Sequence, residues 1–309
     1  MKKLGNSFIL LLTATIWGVA FVAQSAGMEY VGGFTFNSVR SIIGAAVLIP
    51  VLYVMVRKGN GPDNEKDGRT DKGAGNRAGF REVFDRELLT GGICCGIALT
   101  LATNLQQHGI KYTSVGKAGF ITALYIVLVP VFGLFLHKKV GRTVWVGLAI
   151  AVTGLYFLCI NGDFKVGMGD LLVLGCAAIF AVHILVVDHF APRVNCVAMS
   201  CVQFLVCGIL SGIPAILFES ISLEGMLGAA PTILYAGVLS CGVAYTLQMV
   251  GQKNMNPTVA SMILSLESVI SVLAGLLLLR QKLSPRELLG CVLMFSAVIL
   301  CQLPTKEKI

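Results

Sequence analysis

The chain has 309 residues, of which 56% are hydrophobic and 13% charged, and its mean hydropathy is +0.82. This composition excludes an ordinary soluble globular protein. The formal net charge of +8 does not indicate a nucleic-acid-binding protein, because the basic residues lie mainly in loops between apolar runs and form no basic and aromatic stripe.

Ten apolar runs are predicted to be membrane-spanning helices, since about 20 helical residues cross a hydrocarbon core of ~30 Å. The predicted spans are residues 7–27, 33–56, 88–109, 114–136, 143–160, 168–187, 196–218, 230–252, 258–279 and 286–303. The first run is too long for a signal-peptide core and is followed directly by another span, so we expect it to stay in the membrane. Segment 57–86 is rich in glycine and charged residues, and we expect a mobile cytoplasmic loop.

The apolar run at 258–279 repeats the layout of the run at 114–136, at a distance of 143 residues. Each copy has a polar turn, a long apolar run, a basic cluster and then the next apolar run. The aligned pairs are Leu136 with Leu279, Lys139 with Lys282 and Gly147 with Gly290. The sequence therefore predicts two copies of a five-span unit, at residues 1–160 and 161–309.

The basic residues predict the orientation of these units. With ten spans, seventeen of the 24 Lys and Arg residues lie on the side of the N-terminus, so both termini are expected to be cytoplasmic. A repeat with an odd number of spans must insert upside down the second time. Inverted repeats of this kind recur in secondary transporters, which bind their substrate near mid-membrane between the halves.

Four short segments, taken together and in this order, resemble the EamA branch of the drug/metabolite transporter superfamily. They are residues 15–22 (TIWGVAFV), 37–40 (NSVR), 112–121 (YTSVGKAGFI) and 266–269 (LESV). The resemblance covers residues 7–303. The chain departs from the family where members often carry an acid after the fourth and ninth spans, because Lys138 and Gln281 stand there.

The resemblance implies an all-α integral membrane protein with ten spans arranged as two inverted five-helix repeats. It also implies a central cavity lined by spans 1–4 and 6–9. Such carriers mostly export or exchange amino acids, metabolites or drugs. The expected location is a bacterial plasma (inner) membrane, and the expected partners are a small-molecule substrate and membrane lipids. The chain is expected to be a monomer or a homodimer.

Glu267 is the sharpest candidate for a functional residue. It lies near the middle of the ninth span, where an ionised carboxylate costs ~2.5 kcal/mol or more. Such a residue is expected to face the bundle interior. It can carry a proton or meet a cationic group of the substrate, or it can be a structural acid bonded to a neighbouring helix. The sequence leaves both roles open.

Two cations lie inside predicted spans. Arg40 can bind a substrate carboxylate with two hydrogen bonds, or extend to the membrane interface as an anchor. Lys117, near the start of the fourth span, has the same two roles open.

The other candidates for the lining of a cavity are polar or aromatic. Asn104 and His108 share one face of the third span because they are four residues apart. Amides such as these also serve as hydrogen bonds between membrane helices. The full set of candidate substrate-binding residues is Trp17, Gln24, Asn37, Arg40, Asn104, His108, Lys117, Tyr125, Tyr245, Gln248 and Glu267. His183 is interpreted as a core histidine.

The predicted function is secondary transport of a small organic solute by alternating access, outward and with proton exchange at Glu267. A passive facilitator or channel is an open alternative. A lipid-modifying membrane enzyme is disfavoured, because the chain has no His-Glu-x-x-His and no Gly-x-Ser-x-Gly motif. No cofactor or metal is expected, since there is no Cys-x-x-Cys pair and no phosphate-binding loop.

Overall fold

The computed structural model describes residues 2–57, 84–113, 115–138, 140–160, 167–278 and 284–302. Every regular element in these residues is a helix. The predicted mobile loop at 57–86 falls almost entirely outside the described residues.

The helices follow one another with short connections. The first half of the chain contains α1 (Lys2–Gly27), α2 (Gly33–Arg57), α3 (Arg86–Ile110), α4 (Val115–Ala123), α5 (Tyr125–Phe135) and α6 (Arg142–Cys159). The second half contains α7 (Met168–Phe190), α8 (Cys196–Phe218), α9 (Leu223–Gly228), α10 (Ala230–Leu234), a π-helix (Tyr235–Tyr245), α11 (Thr246–Gln252), α12 (Pro257–Leu264), α13 (Glu267–Leu278) and α14 (Pro285–Gln302).

Seven helical stretches in the described part of the chain are long and apolar enough to cross a membrane. They are Leu4–Gly27, Gly33–Arg57, Arg86–Ile110, Ala118–Phe135, Met168–Phe190, Cys196–Phe218 and Ala230–Gln252. Two shorter apolar helices, Arg142–Leu158 and Pro257–Leu273, accompany them. The prediction of an all-helical membrane protein is confirmed.

Two of the predicted spans are broken near their middles. Between α4 and α5, the amide of Leu124 bonds to the carbonyl of Ile121 at 3.2 Å, three residues back. Between α12 and α13, the amide of Leu266 bonds to the carbonyl of Ile263 at 3.2 Å. Hydrogen bonds between residues three apart tighten the last turn of a helix. Each apolar run therefore forms two short helices where we expected one.

The predicted eighth span, 230–252, changes its winding along its length. It starts as the short α10, continues as the 11-residue π-helix Tyr235–Tyr245 and ends as α11. A π-helix is rare and is often found at functional sites. Ser240 and Tyr245 of this π-helix line the cavity described below.

Small residues let α3 and α8 approach each other closely. A Cβ atom placed on Gly92 or Gly96 of α3 would stand 2.6 Å from a valine of α8. The Ser38 hydroxyl of α2 donates a 2.8 Å hydrogen bond to the carbonyl of Gly208 in α8. The interior is thus built from helix pairs in near backbone contact.

Candidate functional site

A cavity lies where the broken helices meet the centres of α1, α2, α3 and α7. Its lining combines charged, amide and aromatic side chains from both halves of the chain, a mixture typical of a site for a small organic molecule. Seven of the residues predicted from the sequence line it, namely Trp17, Gln24, Arg40, Tyr125, Tyr245, Gln248 and Glu267.

Glu267 lines the cavity. It is the first residue of α13 and directly follows the break between α12 and α13. Its side chain is 5% exposed. The hydroxyl of Tyr125 donates a hydrogen bond to Glu267 Oε1 at 3.2 Å. Tyr125 is the first residue of α5, so this hydrogen bond joins the starts of two interrupted helices.

Arg40 brings the opposite charge to the same cavity. It is 4% exposed, and its guanidinium carbon lies 5.6 Å from the centroid of the Phe36 ring. Its Nε has no hydrogen-bond partner, and within the described residues no carboxylate lies within 4.0 Å of it. The structure therefore places Arg40 at the cavity with no counter-ion among the described residues.

Four neutral side chains also present unpartnered polar atoms. Within the described residues, Trp17 Nε1, Gln24 Oε1, His183 Nδ1 and Gln248 Oε1 are buried without a hydrogen-bond partner. A buried polar atom left unpaired costs about 1–3 kcal/mol. The cavity thus keeps donors and acceptors free that a polar ligand can use.

One part of the cavity wall is aromatic. The rings of Trp17 and Tyr245 lie 4.6 Å apart between centroids, and Phe204 packs edge-on against Tyr245 at 5.5 Å. Phe21 and Phe180 add further apolar surface. This wall suits an apolar part of a ligand.

Several lining residues were not among the candidates from the sequence. They include Gln106, Thr122, His183 and Ser240. The amide of Gln106 donates to the Thr122 hydroxyl at 3.3 Å. His183 Nε2 lies 3.1 Å from Gln203 Oε1, whereas its Nδ1 is buried without a partner in the described residues and its ring lines the cavity. Gln106 belongs to the polar run 104–108, but periodicity cannot say which face of that run meets the cavity.

Three predicted residues lie elsewhere. The amide of Asn37 donates to Asn104 Oδ1 at 2.9 Å, and the amide of Asn104 donates to the Ser211 hydroxyl at 2.9 Å. These bonds connect α2, α3 and α8. The ring of His108 packs at a tilt against the ring of Phe34, with 4.4 Å between their centroids.

Lys117 lies in the first turn of α4, and its side chain falls outside the described residues.

Comparison with known proteins gives consistent results. The model of the EamA-like transporter family matches the chain twice, over residues 4–160 and 167–302. An uncharacterized transporter of Archaeoglobus fulgidus is 29% identical over 98% of this chain and 87% of its own length. The uncharacterized transporter YoaV of Bacillus subtilis is 20% identical over 94% of both chains. One protein crystal structure matches 97% of this chain and 96% of its own with a TM-score of 0.75 at 19% identity, which shows a shared fold.

Proposed function

Because the chain belongs to the EamA-like transporter family, we propose that it is a secondary transporter of small zwitterionic solutes, such as amino acids, through the central cavity. It works by alternating access and moves its substrate outward in exchange for a proton carried by Glu267. Its membrane is a bacterial plasma membrane, with both termini in the cytoplasm. The observation that carries the proposal is one buried cavity that holds a guanidinium and a carboxylate without an ion pair between them.

Buried charges without partners are costly inside a membrane protein. A substrate with both a carboxylate and an ammonium group would relieve both costs at once. Its carboxylate would accept two hydrogen bonds from Arg40, and its ammonium group would donate to Glu267. The amide oxygens of Gln24 and Gln248 are further acceptors for the ammonium group. A simple amine or a simple acid would leave one charge in the cavity unpaired.

The pairing of helices supports ten spans in two inverted halves, 1–160 and 161–309. Contacts between helices of the two halves have counterparts when each helix is replaced by the corresponding helix of the other half. The contacting pairs α2 with α8 and α6 with α14 remain the same pairs. The contact of α3 with α7 corresponds to that of the π-helix and α11 with α1, and the contact of α1 with α12 and α13 corresponds to that of α7 with α4 and α5. The two matches of the family model add to this support.

Two glycine contacts repeat at the predicted distance of 143 residues. A Cβ atom on Gly147 of α6 would lie 3.3 Å from the carbonyl oxygen of Ala297 in α14. A Cβ atom on Gly290 of α14 would lie 2.7 Å from the carbonyl oxygen of Gly154 in α6. Gly147 corresponds to Gly290, and Gly154 to Ala297, so each contact is the counterpart of the other.

The two helix breaks support an alternating-access carrier. One lies at Leu124 and the other at Ser265 and Leu266, which are corresponding places in the two halves. Interrupted helices at corresponding positions mark the substrate site in many secondary transporters. Here both breaks border the cavity, through Tyr125 and Glu267.

Thermal stabilisation of the purified protein in detergent tests the proposed substrate class. The probes are L-leucine, its decarboxylated amine and its deaminated acid, with nucleobases and polyamines as further classes. A ligand that binds only the folded protein raises the unfolding temperature by mass action. We expect stabilisation by leucine alone among the first three. Stabilisation by the amine or the acid to the same extent would contradict a zwitterion site.

A further inference from the structure

One hydrogen bond links the interrupted helices of the two halves. The Tyr125 hydroxyl, at the start of α5, donates to Glu267 Oε1, at the start of α13, at 3.2 Å. Both side chains are buried, at 4% and 5% exposure. In the described part of the chain, no other side-chain hydrogen bond joins α4 or α5 to α12 or α13. Tyr125 is therefore placed to hold the carboxylate and to tie the two helix starts together.

An ammonium group competes well for that carboxylate oxygen. The Tyr125 hydroxyl is a neutral donor, whereas a hydrogen bond from a cation to a carboxylate is roughly twice as strong. A cation that enters the cavity can thus replace Tyr125 as the partner of Oε1. The hydrogen bond that joins α5 and α13 then breaks when a cation occupies the cavity.

We propose that Tyr125 is a positioning residue that acts through Glu267 and gives way to the ammonium group of the substrate. In the empty carrier it holds Glu267 and joins the two interrupted helices across the halves. In the loaded carrier the ammonium group occupies Oε1, and α5 and α13 are free to move apart. This inference rests on the proposed function.

Tyr245 provides a matched control. It lines the same cavity and is 7% exposed, but it packs against the ring of Trp17 at 4.6 Å. The hydroxyl that donates a hydrogen bond to Glu267 is that of Tyr125. If Tyr125 served only as cavity wall, removing either hydroxyl would have a similar effect.

The experiment compares Tyr125→Phe and Tyr245→Phe, each alone and combined with Glu267→Asp, in proteoliposomes with L-leucine and L-phenylalanine as probes. Glu267→Asp keeps the charge but draws the carboxylate back by one methylene, out of reach of the Tyr125 hydroxyl. We expect Tyr125→Phe to lower KM by about two- to tenfold, the equivalent of one neutral hydrogen bond, because a competitor for Glu267 is lost. Any effect of Tyr245→Phe on KM is expected to be the same with and without Glu267→Asp, because the hydroxyl that bonds to Glu267 is that of Tyr125.

The decisive readout is coupling between the two sites. Tyr125→Phe should have no further effect on KM once Glu267→Asp is present. If its effect persists there, or if Tyr245→Phe lowers KM and loses that effect there as well, the inference is overturned while the proposed function stands. If the wild-type protein moves neither probe nor any other zwitterion, the proposed function fails and takes the inference with it. Should Glu267→Asp be inactive, leucine must stabilise Tyr125→Phe against heat more than the wild type, and an equal or smaller stabilisation overturns the inference.

Discussion

Two buried polar regions of the bundle differ in how their hydrogen bonds are met. At the junction of α2, α3 and α8, Asn37 bonds to Asn104 and Asn104 bonds to Ser211. In the cavity, Arg40 Nε and the oxygens of two glutamines have no partner among the residues that the structure describes. The difference indicates that the junction holds helices together, whereas the cavity keeps its polar groups for a ligand.

Some buried polar atoms near this junction lack hydrogen-bond partners in the described residues. Asn37 Oδ1 and both polar atoms of Gln107, which lies in the same stretch of α3, lack partners. Neither residue lines the cavity. The two regions therefore differ in charge and in access to the cavity as well as in their hydrogen bonds.

The largest effect is expected at Arg40. Arg40→Gln removes the only cation that lines the cavity in the described residues. Two charge-assisted hydrogen bonds to a carboxylate are lost, so KM for leucine should rise by about a hundredfold or more. The unfolding temperature without ligand should hold or rise, because an unpaired buried charge is removed.

Arg57→Gln is the control for this prediction. Arg57 lies at the other end of the same helix, with its guanidinium carbon 4.6 Å from the Tyr53 ring centroid. Transport kinetics should be unchanged in this variant. An equal loss of transport in both variants would mean that any cation of α2 suffices and that Arg40 does not bind substrate.

The next largest effect is expected at the junction, on stability. Asn104→Leu leaves the Asn37 amide and the Ser211 hydroxyl without their partner. The free energy of unfolding should fall by about 1–3 kcal/mol, while KM for leucine stays the same. Thermal unfolding and proteoliposome transport measure the two quantities. Thr90→Val, which removes an exposed bond within α3, should change neither. A large change in KM for Asn104→Leu would make the junction part of the substrate site.

A smaller effect is expected at Gln248. Gln248→Leu removes an unpartnered oxygen from the cavity wall, so the unloaded protein should keep its stability or gain some. The substrate's ammonium group loses one of its acceptors but keeps Glu267, so KM should rise by about tenfold. Transport kinetics and thermal unfolding on the same preparation measure both. A marked loss of stability with unchanged KM would place Gln248 with the structural amides.

The smallest effect is expected at one end of the bundle. Lys138 and Asp188 form an ion pair there, with side chains 34% and 12% exposed. Such a pair contributes about 0–1 kcal/mol, so Lys138→Met should alter stability little and KM for leucine not at all. A stronger effect on the rate of transport than on stability would show that this pair controls closure of the cavity at its end.

Much of the site could be predicted from the cost of polar groups in a membrane. Glu267 and Arg40 are charged residues inside apolar runs. That cost predicts an interior position for Glu267, whereas for Arg40 it left an anchor at the membrane interface open. The helix breaks could not be predicted, because neither Leu124 nor Leu266 is a proline or glycine. The π-helix has no sequence signal of its own either.

Periodicity does not predict which side chains of the polar run 104–108 meet the cavity. Its spacing predicts that only part of the run can meet a cavity. In the structure Gln106 lines the cavity and Asn104 bonds to Ser211 at the junction. How α3 is rotated about its axis decides between these positions, and it depends on packing against other helices that the spacing alone does not specify.

Counterflow of radiolabelled leucine in proteoliposomes tests the central claim most directly. Vesicles are preloaded with leucine, with its decarboxylated amine or with its deaminated acid, and labelled leucine is added outside. We predict transient accumulation of label only in the vesicles loaded with leucine, and uptake that saturates. Equal accumulation with the amine or the acid inside, or a flux that never saturates, would contradict a carrier with a zwitterion site.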